Sequence, residues 1–98
     1  MDLRGVTGFD WDEANIDKNE EHGVSSGEVE QVFMNRPLRI VPDALHSQSE
    51  ERFAAFGMTD EGELLTVVFT LRESGSKIRP ISARPMDRKE RGAYEKRI

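Results

Sequence analysis

Cysteine is absent from the 98 residues. Neither a disulfide framework nor a thiolate metal site is therefore available to the chain. Histidine is nearly absent: His22 and His46 are the only two, and no His-x-x-x-His pair or His/carboxylate cluster falls at ligand spacing, so no metal is expected. No Gly-rich phosphate loop follows a strand pattern and no nucleophile elbow is present, so no cofactor is expected either. No apolar run approaches the roughly 20 residues that a membrane span needs. The N-terminus lacks a secretion-signal pattern, which makes the cytoplasm the expected location and leaves membranes out of the expected partners. Repeats, linkers and low-complexity tracts are missing, and the length suits a single domain over residues 1–98.

What is present is charge, and it is unevenly placed. The net charge of −5 divides into −7 over residues 1–35, −3 over 36–70 and +5 over 71–98. A basic third on an acidic chain points to an anionic ligand or an acidic partner, although a solvated basic helix face explains the same count.

The apolar pattern changes period along the chain. Phe9-Asp10-Trp11 has the character of a short strand or anchor, and Asp12 suits the N-cap of a helix running to about His22 and stopping at Gly23. Asn15, Asn19 and His22 share one stripe of that helix, with little on it apolar. Ser25 and Glu28 form a capping box for a second helix, with Val29, Val32 and Phe33 as its buried face and Asn35-Arg36-Pro37 as its end. A period of two then predicts strands over residues 38–41, 50–58, 63–71 and 77–83, with Gly62 completing a tight hairpin turn. Pro80 cannot donate to a ladder, so the last strand is expected to have an unpaired side or a bulge there. Asp87 and Glu90 make a capping box for a final helix to about Lys96. The expected fold is α+β: two N-terminal helices, a curved four-stranded antiparallel sheet, and a C-terminal helix, with the helices on one side of the sheet.

Two places could carry chemistry. His46 lies beside Ser47 in a polar loop followed by Glu50, Glu51 and Arg52, which could supply a base, an orienting group and a phosphate clamp. Arg79 and Arg84 flank a patch of small residues just before Arg88, Lys89 and Arg91, and arginines fork around phosphate oxygens. His22, at a helix end, is accounted for equally by bonding to the last carbonyls.

The ordered set Phe9-Asp10-Trp11-Asp12, Asn19, His22-Gly23-Val24, Val32-Phe33, His46-Ser47, Glu50-Glu51-Arg52 and Ile81-Ser82-Ala83-Arg84, with Glu90 and Tyr94, resembles the BrnT family of ribonuclease toxins. The resemblance covers about residues 9–95. It implies a RelE-like fold and metal-free RNA cleavage in a bacterial type II toxin–antitoxin module. It also implies a BrnA-type ribbon-helix-helix antitoxin that neutralises the toxin and reaches operator DNA itself. On that basis Arg52, Arg79 and Arg84 are expected to clamp the phosphate, Glu51 or His46 to act as base, and His22 or Tyr94 as acid. The chain departs from the family pattern at Asn15 and Glu21, where lysines are usual, at Ser26, where an aromatic is usual, and at Pro80, where an aliphatic is common. Loss of two positive charges near His22 is expected to weaken phosphate binding. The competing expectation is a non-catalytic module that holds the antitoxin and tunes its operator binding.

Overall fold

A computed structural model describes residues 1–47 and 49–96. In chain order the elements are β1 (Gly8–Phe9), α1 (Glu13–Glu20), α2 (Ser26–Met34), β2 (Arg39–Pro42), β3 (Phe53–Met58), β4 (Leu64–Arg72), β5 (Lys77–Pro85) and α3 (Arg88–Glu95). Each α-helix opens on a reciprocal capping box, Asp12 with Asn15, Ser25 with Glu28 and Asp87 with Glu90. Gly23 and Gly62 take the positive φ values that end α1 and turn the β3–β4 hairpin. Among the described residues, no helix is long and apolar enough to cross a membrane.

The sheet differs from the expected one. It has five strands in the order β1-β5-β4-β3-β2, and it is mixed, because β1 runs parallel to β5. The fifth strand comes from Gly8–Phe9, two residues too short to carry a period-two signal. The other pairs are antiparallel, and β4 is central and largely buried. Pro80 sits at the irregularity foreseen from its missing N–H: the β4–β5 register shifts between Val68 and Phe69, so that Ser82 and Pro80 face them and Ile81 is left over.

Alternation sorts the side chains onto two faces. A Cβ on Gly57 would meet Val32 Cγ1 at 2.9 Å, so Gly57 faces α2. Its cross-strand partners carry that face through Leu65, Val67 and Phe69 to Ala83 and Ile78. These residues and Ala55 join Val24, Val29, Val32 and Phe33 in the core. The opposite face carries Arg39, Phe56, Thr66, Val68, Thr70, Arg79, Ser82 and Arg84. Here a second expectation fails: α3 reaches this opposite face, where Thr66 and Arg84 both bond its Glu90. The helices therefore lie on both sides. The cause is the C-terminal strand delivering its polar residues, not its apolar ones, to the start of α3.

Candidate phosphate-binding face

Between α3 and the end of the sheet nearest Glu50, the second face is open and bears a row of arginines. Thr70 is paired with Arg79, and the β3–β4 register continued one residue past Phe53 places Arg52 on the other side of Thr70. Strands about 4.8 Å apart put the Arg52 and Arg79 Cα atoms roughly 10 Å from each other. Arg84 lies farther along β5, across from Thr66. The structure thus brings Arg52, Arg79 and Arg84 onto one face.

Each of these cations is held by a carboxylate. Arg79 Nη2 donates to Asp12 Oδ2 at 2.9 Å and Nη1 lies 3.5 Å from Asp10 Oδ2. Arg84 grips Glu90 with two bonds, 2.6 Å and 2.9 Å. Arg72, beside them, bonds Glu50, whose other oxygen is 3.7 Å from Arg52 Nη2. Arg52 is the least satisfied: its buried Nε has no hydrogen-bond partner among the described residues. Spacing alone had passed over Asp10, Asp12 and Arg72 as members of this set. Their signal is the cross-strand register and the folding back of the N-terminus, and neither is visible in a linear motif.

The opening motif owes its residues to this arrangement. Phe9 stacks on Trp11 and meets Phe33 edge-on at 5.6 Å. Trp11 Nε1 donates to Glu30 at 2.9 Å. Asp10 and Asp12 then project towards Arg79, and Asp12 also caps α1. Where β1 stops, α1 takes over the outer edge of β5. Asn15 Nδ2 donates to Pro80 O at 2.8 Å and to Asp10 O at 2.9 Å. Two departures from the family pattern are therefore in contact. Asn15 is 4% exposed, so it secures the bulge and does not present a charge-deficient spot to a phosphate. Glu21 does stand exposed after α1.

The remaining sequence candidates are more scattered. His22 is exposed in the turn after α1 and donates its backbone N–H to Asn19 O. Ten residues at 1.5 Å each separate it from Asp12 by about 15 Å along the helix. Glu51 is exposed, and its carbonyl accepts from Thr70 Oγ1 at 2.7 Å. The His46 side chain lies outside the described part of the structure. Its neighbour Ser47 organises the loop, donating to Asp43 O and accepting from Arg52 N at 2.9 Å. Tyr94 is buried under α3, which raises its pKa, and its hydroxyl donates to Pro37 O at 2.6 Å. That proton is engaged in anchoring α3. Asn19, on the stripe with Asn15, is 1% exposed, and neither of its side-chain polar atoms has a partner among the described residues.

The Arg84 guanidinium, with help from Asp87 N–H and Thr66, holds the Glu90 carboxyl at about 2, below its ordinary 4.5. Because the folded value is the lower one, the stabilisation is complete above about pH 4.5 and disappears as pH falls towards 2. Glu90→Gln is accordingly expected to lower the melting temperature at pH 6 and to converge on the unmodified chain near pH 2. A difference that stays constant from pH 6 to pH 2 would show that the charge on Glu90 contributes nothing.

A comparison with curated proteins found no match. The family model described as the ribonuclease toxin BrnT of type II toxin–antitoxin systems matches residues 11–90, a span that runs from Trp11 to Glu90 and includes Arg52, Arg72, Arg79 and Arg84. The chain belongs to the BrnT family of ribonuclease toxins.

Proposed function

We propose that this chain is a metal-independent endoribonuclease of RelE-like architecture, working in the cytoplasm and neutralised by a BrnA-type ribbon-helix-helix antitoxin through which alone it meets operator DNA. The observation that carries the reading is the convergence of Arg52, Arg79 and Arg84 on one open sheet face around Thr70 and Ser82. In the reaction the RNA 2′-hydroxyl loses its proton to a base and attacks the adjacent phosphorus. The bond to the 5′-oxygen breaks, and that oxygen takes a proton from an acid. The products are a 2′,3′-cyclic phosphate and a 5′-hydroxyl. Glu51 or His46 serves as base. His22 and Tyr94 are the acid candidates, and the Tyr94–Pro37 bond leaves His22 the freer of the two. The arginines lower the barrier by meeting negative charge that grows on the non-bridging oxygens.

A second reading, a toxin fold that only binds its antitoxin, is favoured by the counter-ions: Arg72, Arg79 and Arg84 each already have a carboxylate. Expression of the chain alone separates the two. The ribonuclease reading expects growth arrest and RNA fragments ending in 2′,3′-cyclic phosphate. Neither effect, with a tight antitoxin complex retained, would leave the binding module.

A further inference from the structure

The two terminal strands of the sheet, β1 and β2, curl until they border one groove of about 1060 Å³. Its walls include Phe9, Phe33, Leu38, Ile40 and Ile78, all apolar. Met34, on its rim, is 75% exposed. One wall is β2, whose outer side pairs with no other strand among the described residues. An unpaired edge beside an apolar groove is the geometry that accepts an added strand.

Charge decides what kind of strand. Around the groove stand Arg4, Arg36 and Arg39 against the single acid Asp2, although the first 35 residues of the chain carry −7. Asp2 is occupied by Arg4. Arg36 donates only to the carbonyls of Phe33 and Asn35, and neither it nor Arg39 forms an ion pair among the described residues. Arg72, Arg79 and Arg84, by contrast, are matched with internal carboxylates. The groove thus presents unmatched positive charge beside apolar surface. The β2 register is specific as well: Ile40 faces the core side with Ala55, whereas Arg39 and Val41 face the other side with Phe56 and Ala54.

From this geometry we infer that β2 is the docking edge for one extended segment of the antitoxin, in which apolar residues alternate with carboxylates. Cross-strand neighbours on one face of a ladder interact directly, so apolar side chains would meet Leu38 and Ile40 while carboxylates of the intervening positions meet Arg39. Arg36, at the entrance of the strand, would take a further carboxylate. The inference rests on the antitoxin partner that membership of the family implies, and not on RNA cleavage. The docking edge is the outer side of β2, at one border of the sheet, whereas Arg52, Arg79 and Arg84 lie inward of it, around β4.

The test uses the full chain, purified alone and as the complex with the antitoxin of its own operon. Amide hydrogen exchange over residues 38–42 is expected to slow at least tenfold in the complex. Arg36→Glu with Arg39→Glu is expected to weaken the complex at least tenfold while the unfolding temperature of the free chain stays within error. Protection confined to α1 or to the arginine face would overturn the inference, as would a free chain whose residues 38–42 are already protected in a homodimer. Protection at 38–42 without any RNA cleavage would instead sink the ribonuclease reading alone. If the double variant fails to fold, hydrogen exchange on the unmodified pair still decides the matter.

Discussion

Arg52→Ala is expected to reduce RNA cleavage by about 10²–10³-fold, with the fold unchanged. Arg52 is the cleanest of the three proposed clamp residues to remove. Among the described residues its Nη2 has a 3.7 Å ion pair to Glu50 and its Nε has no partner, so little there depends on the guanidinium. The cost therefore falls on the substrate, whose phosphate loses a forked donor at the position flanking Thr70. Arg52→Lys keeps the charge and loses the fork, so it should recover only part of the activity. Arg84→Ala is a harsher change. It removes the bidentate partner of Glu90, a carboxylate that also serves the α3 capping box and Thr66, so activity and stability should fall together. Initial rates on a defined RNA, measured beside urea unfolding, separate the two kinds of loss. If Arg52→Ala and Arg84→Ala both kept full cleavage and full growth inhibition, the arginine face would not be the active site.

The sequence exposed some of this and concealed the rest for physical reasons. The Ser25 and Asp87 capping boxes, the Asp12 N-cap and the glycine turn were legible because each is a local arrangement of three or four residues, and all of them occur as expected; the reciprocal bond from Asn15 to Asp12 is an addition. The bulge at Pro80 was legible because a missing N–H has one consequence wherever the residue lies. The strand character of Phe9-Asp10-Trp11 was legible, but the parallel pairing of β1 was not: its two residues gain their place only by pairing with β5, almost seventy positions away. The same distance concealed Asp10 and Asp12 as partners of Arg79. Asn15 is the sharpest case. By the family resemblance it is a lysine replaced and a charge lost to the substrate. In the fold its buried amide bridges Asp10 O and Pro80 O. The departure at 15 and the departure at 80 are one local solution, a bulged proline strand capped by an asparagine.

Phe69→Ala is expected to destabilise the chain by about 3–5 kcal/mol. Phe69 is 0% exposed and sits where the register shifts opposite Pro80. It meets Phe33 edge-on at 5.1 Å and Phe53 at 5.5 Å, and Phe33 in turn holds Phe9. One ring thus ties α2, β3 and β4 together and, through Phe33, fixes the strand that delivers Asp10 to Arg79. Truncation leaves a void that the bulge cannot close, because its proline has a fixed φ and its carbonyl is already held by Asn15. At about 4–8 °C per kcal/mol for a chain of this size, the melting temperature should fall by at least ~12 °C. The loss is a sizeable part of the 5–15 kcal/mol that small domains typically have. Phe69→Leu, which refills most of the volume, should recover more than half of it. A change below ~1 kcal/mol for Phe69→Ala in urea unfolding would mean that the aromatic cluster is not the keystone of the sheet. RNA cleavage by the variant, measured at a temperature where it is still folded, should fall too, because the arginines are spaced by the strands that this ring aligns.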